Sequence, residues 1–254
     1  RRIHKAPVRD RVVHHALFRV LYRFFDQRFI YDSYSCRFGR GTHGGVERWR
    51  QFARRVSNNN QKTAYVLQCD IKKFFDTIDH TILQTLLSAV VANEDTLKLL
   101  ATIINSFFTS EGKGLPLGNV TSQLFANVYL NELDRLVKHQ LREPFYLRYC
   151  DDFMIAHTSI NHLQNLIEPI NKFLLTNLKL QLHPGKIGIR KLGQGIDWLG
   201  YVTLPHHRVL RTRTRKRIVR RLAKGSLDKA ALPSYLGMIS HCRDHKLKLH
   251  LSTT

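Results

Sequence analysis

The chain runs to 254 residues, 43% of them hydrophobic, which excludes a disordered chain and allows one large domain or two small ones. Lys and Arg number 41 against 19 Asp and Glu, a formal net charge of +22 spread along the whole length, and so large a bias costs self-repulsion unless a polyanionic partner neutralises it. No apolar run is long enough to span a membrane, no signal-like start is present, and the four cysteines (Cys36, Cys69, Cys150, Cys242) form no CxxC pair, so a reduced, cytoplasmic chain is expected.

The segment Arg1 to Pro7 is basic and extended, and because motif-bearing sequence starts at once, a preceding N-terminal segment is expected to be missing. Asp10 is expected to cap a helix whose Val12, Val13, Ala16, Leu17, Val20, Leu21, Phe24 and Phe25 recur at helical spacing. Arg2, Arg9 and Arg11 suit surface salt bridges and a triphosphate grip equally well. Phe38-Gly39-Arg40-Gly41-Thr42-His43-Gly44-Gly45 is a glycine-rich loop, a plain turn or a place for close approach of a nucleic-acid strand, but no Walker loop, since no Gly-Lys-Ser/Thr follows. It leads into a helix with Val46, Trp49, Phe52 and Val56 on one face, and Ser57 to Lys62 then form a solvated turn.

Tyr65-Val66-Leu67-Gln68-Cys69-Asp70-Ile71 reads as a buried strand carrying an acid near its end. Beyond it, Asp79 is expected to cap a helix carrying Ile82, Leu83, Leu86, Leu87, Val90 and Val91, with Asp76 supporting the turn and neither acting as a ligand. A further helix is read with Leu97, Leu100, Ala101, Ile104, Phe107 and Phe108 as its core stripe. The loop Gly112 to Gln123 has its shape fixed by glycines and Pro116. Thr121 or Asn119 is expected to cap the helix after it, whose stripe is Leu124, Val128, Leu133 and Val137.

The chain is organised around Arg148-Tyr149-Cys150-Asp151-Asp152-Phe153, where adjacent, mutually repelling acids sit on a half-buried hairpin and need a counter-cation. A divalent metal serves, and a two-metal phosphoryl-transfer site draws its carboxylates from separate segments, which makes Asp70 the expected third acid. Alternation along a strand predicts Cys69 and Cys150 pointing away from the acids into the packing below. Helical spacing returns at Leu163, Leu166, Ile167, Ile170 and Leu174, with a kink expected at Pro169. Pro184-Gly185 turns the chain into a strand, Trp198 to Val202 reads as strand or hairpin, and the basic run from Arg211 to Lys224, including Arg213 and Arg217, favours contact with a phosphate backbone. A last helix holds Pro233, Tyr235, Leu236 and Ile239. His14-His15 and His206-His207 lack metal spacing and are read as structural.

In this order the motifs resemble the reverse transcriptases, a similarity running from Arg2-Ile3 through Pro7, Asp70 with Phe74-Phe75, Leu115 to Gln123, Tyr149-Cys150-Asp151-Asp152 and Leu182 to Lys186 to Trp198-Leu199-Gly200-Tyr201. Most members begin the loop with Gln-Gly and end it with Ser-Pro. With Leu117 and Gln123 in those places, and with Arg9 to Leu17, the chain looks like the enzymes of diversity-generating retroelements, which copy a template RNA with frequent errors at adenines alongside a small basic accessory protein. Group II intron, retron and antiphage-defence enzymes share much of this pattern.

The resemblance implies an α+β right-hand polymerase fold: fingers over 1–66, a palm of antiparallel sheet backed by helices over 67–200 with inserted finger helices, and a primer-grip end and short helical thumb over 201–254. It implies two Mg²⁺ ions held by Asp70, Asp151 and Asp152 with Ile71 alongside, and Lys186 as the acid that protonates pyrophosphate. The incoming dNTP would meet Arg2, or Arg1 in a competing register, together with Ile71, Phe75, Leu117, Gly118 and Gln123. The Phe75 ring fills the space of a 2′-hydroxyl, which favours deoxynucleotides over ribonucleotides. Leu117 lacks the hydrogen bond of the usual Gln and would police base-pair geometry less strictly. Trp198, Leu199, Gly200 and Tyr201 would grip a DNA or RNA primer and its cDNA, with Arg213 and Arg217 on the template-primer backbone. An RNA-binding scaffold that has lost chemistry is the other class of reading, and the three retained acids argue against it.

Overall fold

A computed structural model describes residue 4 and residues 6–223 and 232–242, so Arg1, Arg2 and Lys224 lie outside the described residues. The helices are α1 (Val8–Asp26), α2 (Thr42–Val56), α3 (Phe74–Thr77), α4 (His80–Ser88), α5 (Glu94–Asn105), α6 (Val120–Arg135), α7 (Ile160–Leu178), α8 (Thr212–Ala223) and α9 (Leu232–Ser240). A π-helical turn, Leu136–Gln140, continues α6. Strands β1 (Tyr65–Asp70), β2 (Tyr146–Tyr149), β3 (Asp152–His157) and β4 (Gly188–Lys191) form a four-stranded sheet in the order β2-β3-β1-β4, and β5 (Ile196–Trp198), β6 (Tyr201–Thr203) and β7 (Arg208–Leu210) form a three-stranded one. Every pairing in both sheets is antiparallel.

Alternation along the strands divides the interior in two. Leu67, Cys69, Phe153 and Ile155 face a core built with α1, α4, α5, α6 and α7. Val66, Met154 and Ala156 face a second core shared with α2 and the β5-β6-β7 sheet, closed by Ile218 of α8 and by Tyr235 and Ile239 of α9. By the same alternation Asp70 and Asp152 belong to the second face, at the end of the central strands. The large sheet is therefore covered on both sides, which is why its strands read as apolar runs.

Several local expectations are corrected. Helix α1 starts at Val8 with Pro7 at the cap position, and Asp10 makes no cap; it sits in the first turn, where a carboxylate still meets the positive helix end. The buried face of α1 is His14, Phe18, Leu21, Tyr22 and Phe25, while Val8, Val12, Val20 and Phe24 are exposed. The reason is polar satisfaction: His14 Nδ1 lies 2.8 Å from Thr121 Oγ1, and the Tyr22 hydroxyl donates to Asp26 at 2.9 Å while accepting from the Phe38 amide. Asn119 occupies the cap position of α6 without a side-chain cap bond, and Thr121, already inside the helix, is paired with His14 instead. Helix α5 ends at Asn105, so Phe107 and Phe108 leave the core stripe, and Phe108 is exposed. Cys150 lies in the β2-β3 turn with φ 56°, half-buried, so strand alternation does not orient it as it orients the buried Cys69. Pro169 lies inside the single helix α7. Asp79 does cap α4, accepting from the Ile82 amide at 3.1 Å, and it also binds Lys179 at 2.7 Å.

Candidate active site

Strand β1 ends at Asp70 and β3 begins at Asp152, and antiparallel register sets these two directly opposite each other. Residues so placed hold their Cβ atoms about 4.5–5.5 Å apart. Asp151 occupies the turn between β2 and β3, and its carbonyl accepts from the Ile71 amide at 3.1 Å, which continues the ladder one step past Asp70. Residues some eighty positions apart in the chain thus meet at one sheet end because two hydrogen-bonded strands finish there. The Ile71 side chain is buried, so its main chain alone is available to this end of the sheet.

The turn that carries Asp151 is anchored from below. Arg148 and Asp134 are both fully buried and joined in a fork, Nε to Oδ1 at 2.7 Å and Nη2 to Oδ2 at 2.6 Å. Arg148 Nη1 then donates to the Cys150 carbonyl at 2.9 Å, and Nη2 donates to Ser33 Oγ at 3.1 Å. Burial works against the guanidinium charge, but Asp134 outweighs it and holds Arg148 above its ordinary range. The Tyr146 hydroxyl completes Asp134 at 2.6 Å.

Burial, and then the charges of Asp70 and Asp151, push the Asp152 carboxyl up to about 7, while the Trp198 indole and Lys186 pull the other way. The indole is near enough to oppose the shift, although its nitrogen has no partner within ordinary hydrogen-bond geometry among the described residues. Lys186 Nζ sits 2.8 Å from Asp70 Oδ2. Among the described residues no three His, Cys, Asp or Glu side chains converge into a ready-made ion shell. The donor chemistry nevertheless suits a hard cation: all the side-chain donors are carboxylate oxygens, and their crowding is relieved by added positive charge.

Beside the acids opens a cleft of about 540 Å³ lined by Asp70, Ile71, Phe75, Leu117, Asp151 and Lys186. Phe75 stands edge-on to Phe74, with ring centres 5.3 Å apart, and its carbonyl accepts from the Leu115 amide at 2.7 Å. Gly118 and Gln123 stand outside this lining and are exposed. Sequence reasoning missed His4, Lys73, Phe107, Thr109 and His183, which also line the cleft. His183 was within reach of a sequence argument, since it precedes the Pro184-Gly185 turn to Lys186. Phe107 was not, because it reads as one more helical stripe residue; in the fold it packs edge-on against His4 at 4.8 Å.

The β5-β6 hairpin borders the acids on the other side. Its two-residue turn has Leu199 at φ 50° and Gly200 at φ 89°, the primed geometry that matches strand twist. Gln68 Nε2 donates to the Asp197 carbonyl at 3.1 Å and ties the hairpin to β1. The Tyr201 hydroxyl donates to the Met238 carbonyl at 3.0 Å, linking it to α9. Arg213 and Arg217 are exposed on α8, whose Ile218 packs inward.

Solved structures share this fold at low identity. Telomerase from Candida tropicalis, in complex with a TWJ fragment of telomeric RNA, superposes with a TM-score of 0.59 at 13% identity over 74% of this chain and 36% of that one. The corresponding Candida albicans structure gives 0.57 at 12% identity, over 79% of this chain and 37% of that one. The fold is therefore the α+β polymerase fold. The family described as reverse transcriptase (RNA-dependent DNA polymerase) matches residues 1–203, and the chain belongs to that family. Protein YkfC of Escherichia coli K12 is 24% identical over 246 residues, covering 82% of this chain and 62% of its own length. An uncharacterized 91 kDa protein in the cob intron of Schizosaccharomyces pombe is 28% identical over 144 residues, 54% of this chain and 17% of that protein. The chain thus spans less than two thirds of either relative. No helix among the described residues is long and apolar enough to cross a membrane.

Proposed function

We propose that the chain is an RNA-directed DNA polymerase that copies a template RNA into cDNA by two-metal nucleotidyl transfer. The observation that carries this reading is the opposed Asp70-Asp152 pair with Asp151 in the adjoining turn, at the mouth of a cleft that Phe75 lines. Asp70 and Asp151 would hold Mg²⁺, assisted by Asp152 and the Ile71 main chain. When bound, the ions supply charge neutralisation at the transferred phosphate and at the attacking 3′-hydroxyl. Phe75 excludes a ribose 2′-hydroxyl, Leu117 borders the incoming dNTP, and Lys186, released from Asp70, donates a proton to pyrophosphate. Trp198 to Tyr201 hold the primer end against the acids, and positioning supplies much of the rate.

In this reading 1–66 are fingers, 67–200 palm, and 201–254 primer grip and thumb. The loop from Leu117 to Gln123 favours a diversity-generating retroelement with a small basic accessory protein, whereas the intron-associated relatives favour a group II intron enzyme. Copying a template of known sequence separates them, since errors concentrated at adenines support the first and evenly distributed errors the second. The central test is primer extension on an RNA template with the full-length protein and Mg²⁺. Asp151→Ala should lose about 100-fold or more in dNTP incorporation, the scale on which one group of a preorganised charged site acts. Undiminished incorporation would sink the assignment, and salt-sensitive RNA binding with no incorporation in the unaltered protein would transfer it to a scaffold.

A further inference from the structure

A second pocket, of about 470 Å³, opens where the end of α1 meets the end of α4 and the outer side of α6, and it shares no lining residue with the cleft beside the acids. Phe25 and Phe29 form an apolar wall, with Val128 of α6 beside them. Asn131, only 8% exposed, also lines it, and its Oδ1 has no hydrogen-bond partner among the described residues. A buried amide oxygen left in this way opposes folding, and a Leu of similar volume would avoid that cost. Two cations, Arg28 and Arg135, line it, together with His139, which is delivered by the π-helical turn after α6. Glu132 is the acid of the lining, and its 3.9 Å approach to Arg135 takes up part of one charge.

These groups define a ligand by chemistry. A side-chain amide offers a donor and an acceptor side by side, which complements the edge of a nucleobase. Aromatic and aliphatic side chains receive the face of an unstacked base, and guanidinium groups receive phosphates. A free apolar side chain would leave both the amide and the cations unmatched. We propose that this pocket binds a single unpaired nucleotide of RNA, seating its base against Phe25 and Phe29, its edge on Asn131 and its phosphates on Arg28 and Arg135. The inference rests on the reading that the chain handles RNA, and it places a contact outside the polymerising cleft.

The test measures affinity of the full chain for a short fluorescent single-stranded RNA at fixed salt, with primer extension and urea unfolding followed on the same preparations. Asn131→Leu should weaken RNA binding about tenfold, the worth of one base-edge contact, while its unfolding midpoint holds or rises and extension on a pre-annealed template persists. Arg135→Gln should weaken binding as well. Photocrosslinking with 4-thiouridine RNA should label the peptide that contains Phe25 and Phe29, and should do so less in Asn131→Leu. Unchanged affinity in both variants, or crosslinks that avoid this peptide, overturns the site. Continued extension in those variants would show that the polymerase reading stands apart from the failure, and a pocket whose occupancy follows a peptide rather than RNA would belong to a protein partner.

Discussion

Arg148 shows how one residue can fix a site that it does not enter. Its guanidinium joins Asp134 below the sheet to the Cys150 carbonyl beside Asp151, so the charge pair and the turn are set together. Removing one partner of a buried pair strands the other, at roughly 3–5 kcal/mol, whereas replacing both with apolar groups is far milder. Arg148→Met should therefore unfold at much lower urea than Arg148→Met combined with Asp134→Leu, and a double-mutant cycle that shows simple additivity would refute the coupling. His14 makes a different forecast. Burial, with His15 acting in the same direction, lowers its pKa against the pull of Asp10, so the folded state prefers the neutral ring. Its contribution is complete above the ordinary imidazole value of about 6.5 and is lost as pH falls through the lower folded value, because the unfolded chain takes up the proton first. His14→Gln should flatten the loss of stability below about pH 6.5 in urea titrations. The acids could be read from the sequence because adjacent carboxylates among apolar residues demand an explanation. Arg148 could not, since nothing local distinguishes a buried arginine from the many exposed ones.

At the level of elements, capping, strand alternation and turn chemistry were readable where the determinant is local: Asp79 before α4, the Pro184-Gly185 turn, and the strand ending at Asp70. The buried face of α1 was not, since it depends on which side chains α6 and the Phe38 segment can satisfy. The strap from Thr109 to Leu115, which walls the cleft, gives a paired test. Gly112 and Gly114 both have positive φ, 65° and 109°. A Cβ at Gly112 would meet nothing, whereas at Gly114 it would come within 2.7 Å of Thr109 Oγ1 and 3.0 Å of the Thr109 amide nitrogen. Gly112→Ala should cost about 1 kcal/mol through backbone conformation alone. Gly114→Ala should cost roughly 2–4 kcal/mol once overpacking is added, and equal denaturation midpoints would contradict the close approach.

For the whole molecule, the excess of 41 basic over 19 acidic residues makes polyanion binding a matter of counterion release. Each lost contact with single-stranded nucleic acid reduces the slope of log affinity against log salt by about 0.7. Arg213→Gln and Arg217→Gln should each reduce it by that amount without altering the selectivity among template sequences, and fluorescence titrations over a salt series would reveal an unchanged slope if α8 stands clear of the strand. Motif order announced the fold, whereas composition announced only a charge bias that a polyanionic partner would relieve. The second pocket stayed hidden because Phe25, Leu86 and Asn131 come from three distant segments whose meeting only the packing decides.

The outward row on α1, Val8, Val12, Val20 and Phe24 with Ala16 between them, lies among Arg11, His15, Arg19 and Arg23. Apolar association strengthens in sulfate and similar excluded salts, while the grip on nucleic acid weakens as ionic strength rises. Sulfate should therefore screen the flanking guanidinium groups while strengthening contact between such stripes, so the protein should self-associate more as sulfate rises, over the same range of salt that weakens any hold on a polyanion.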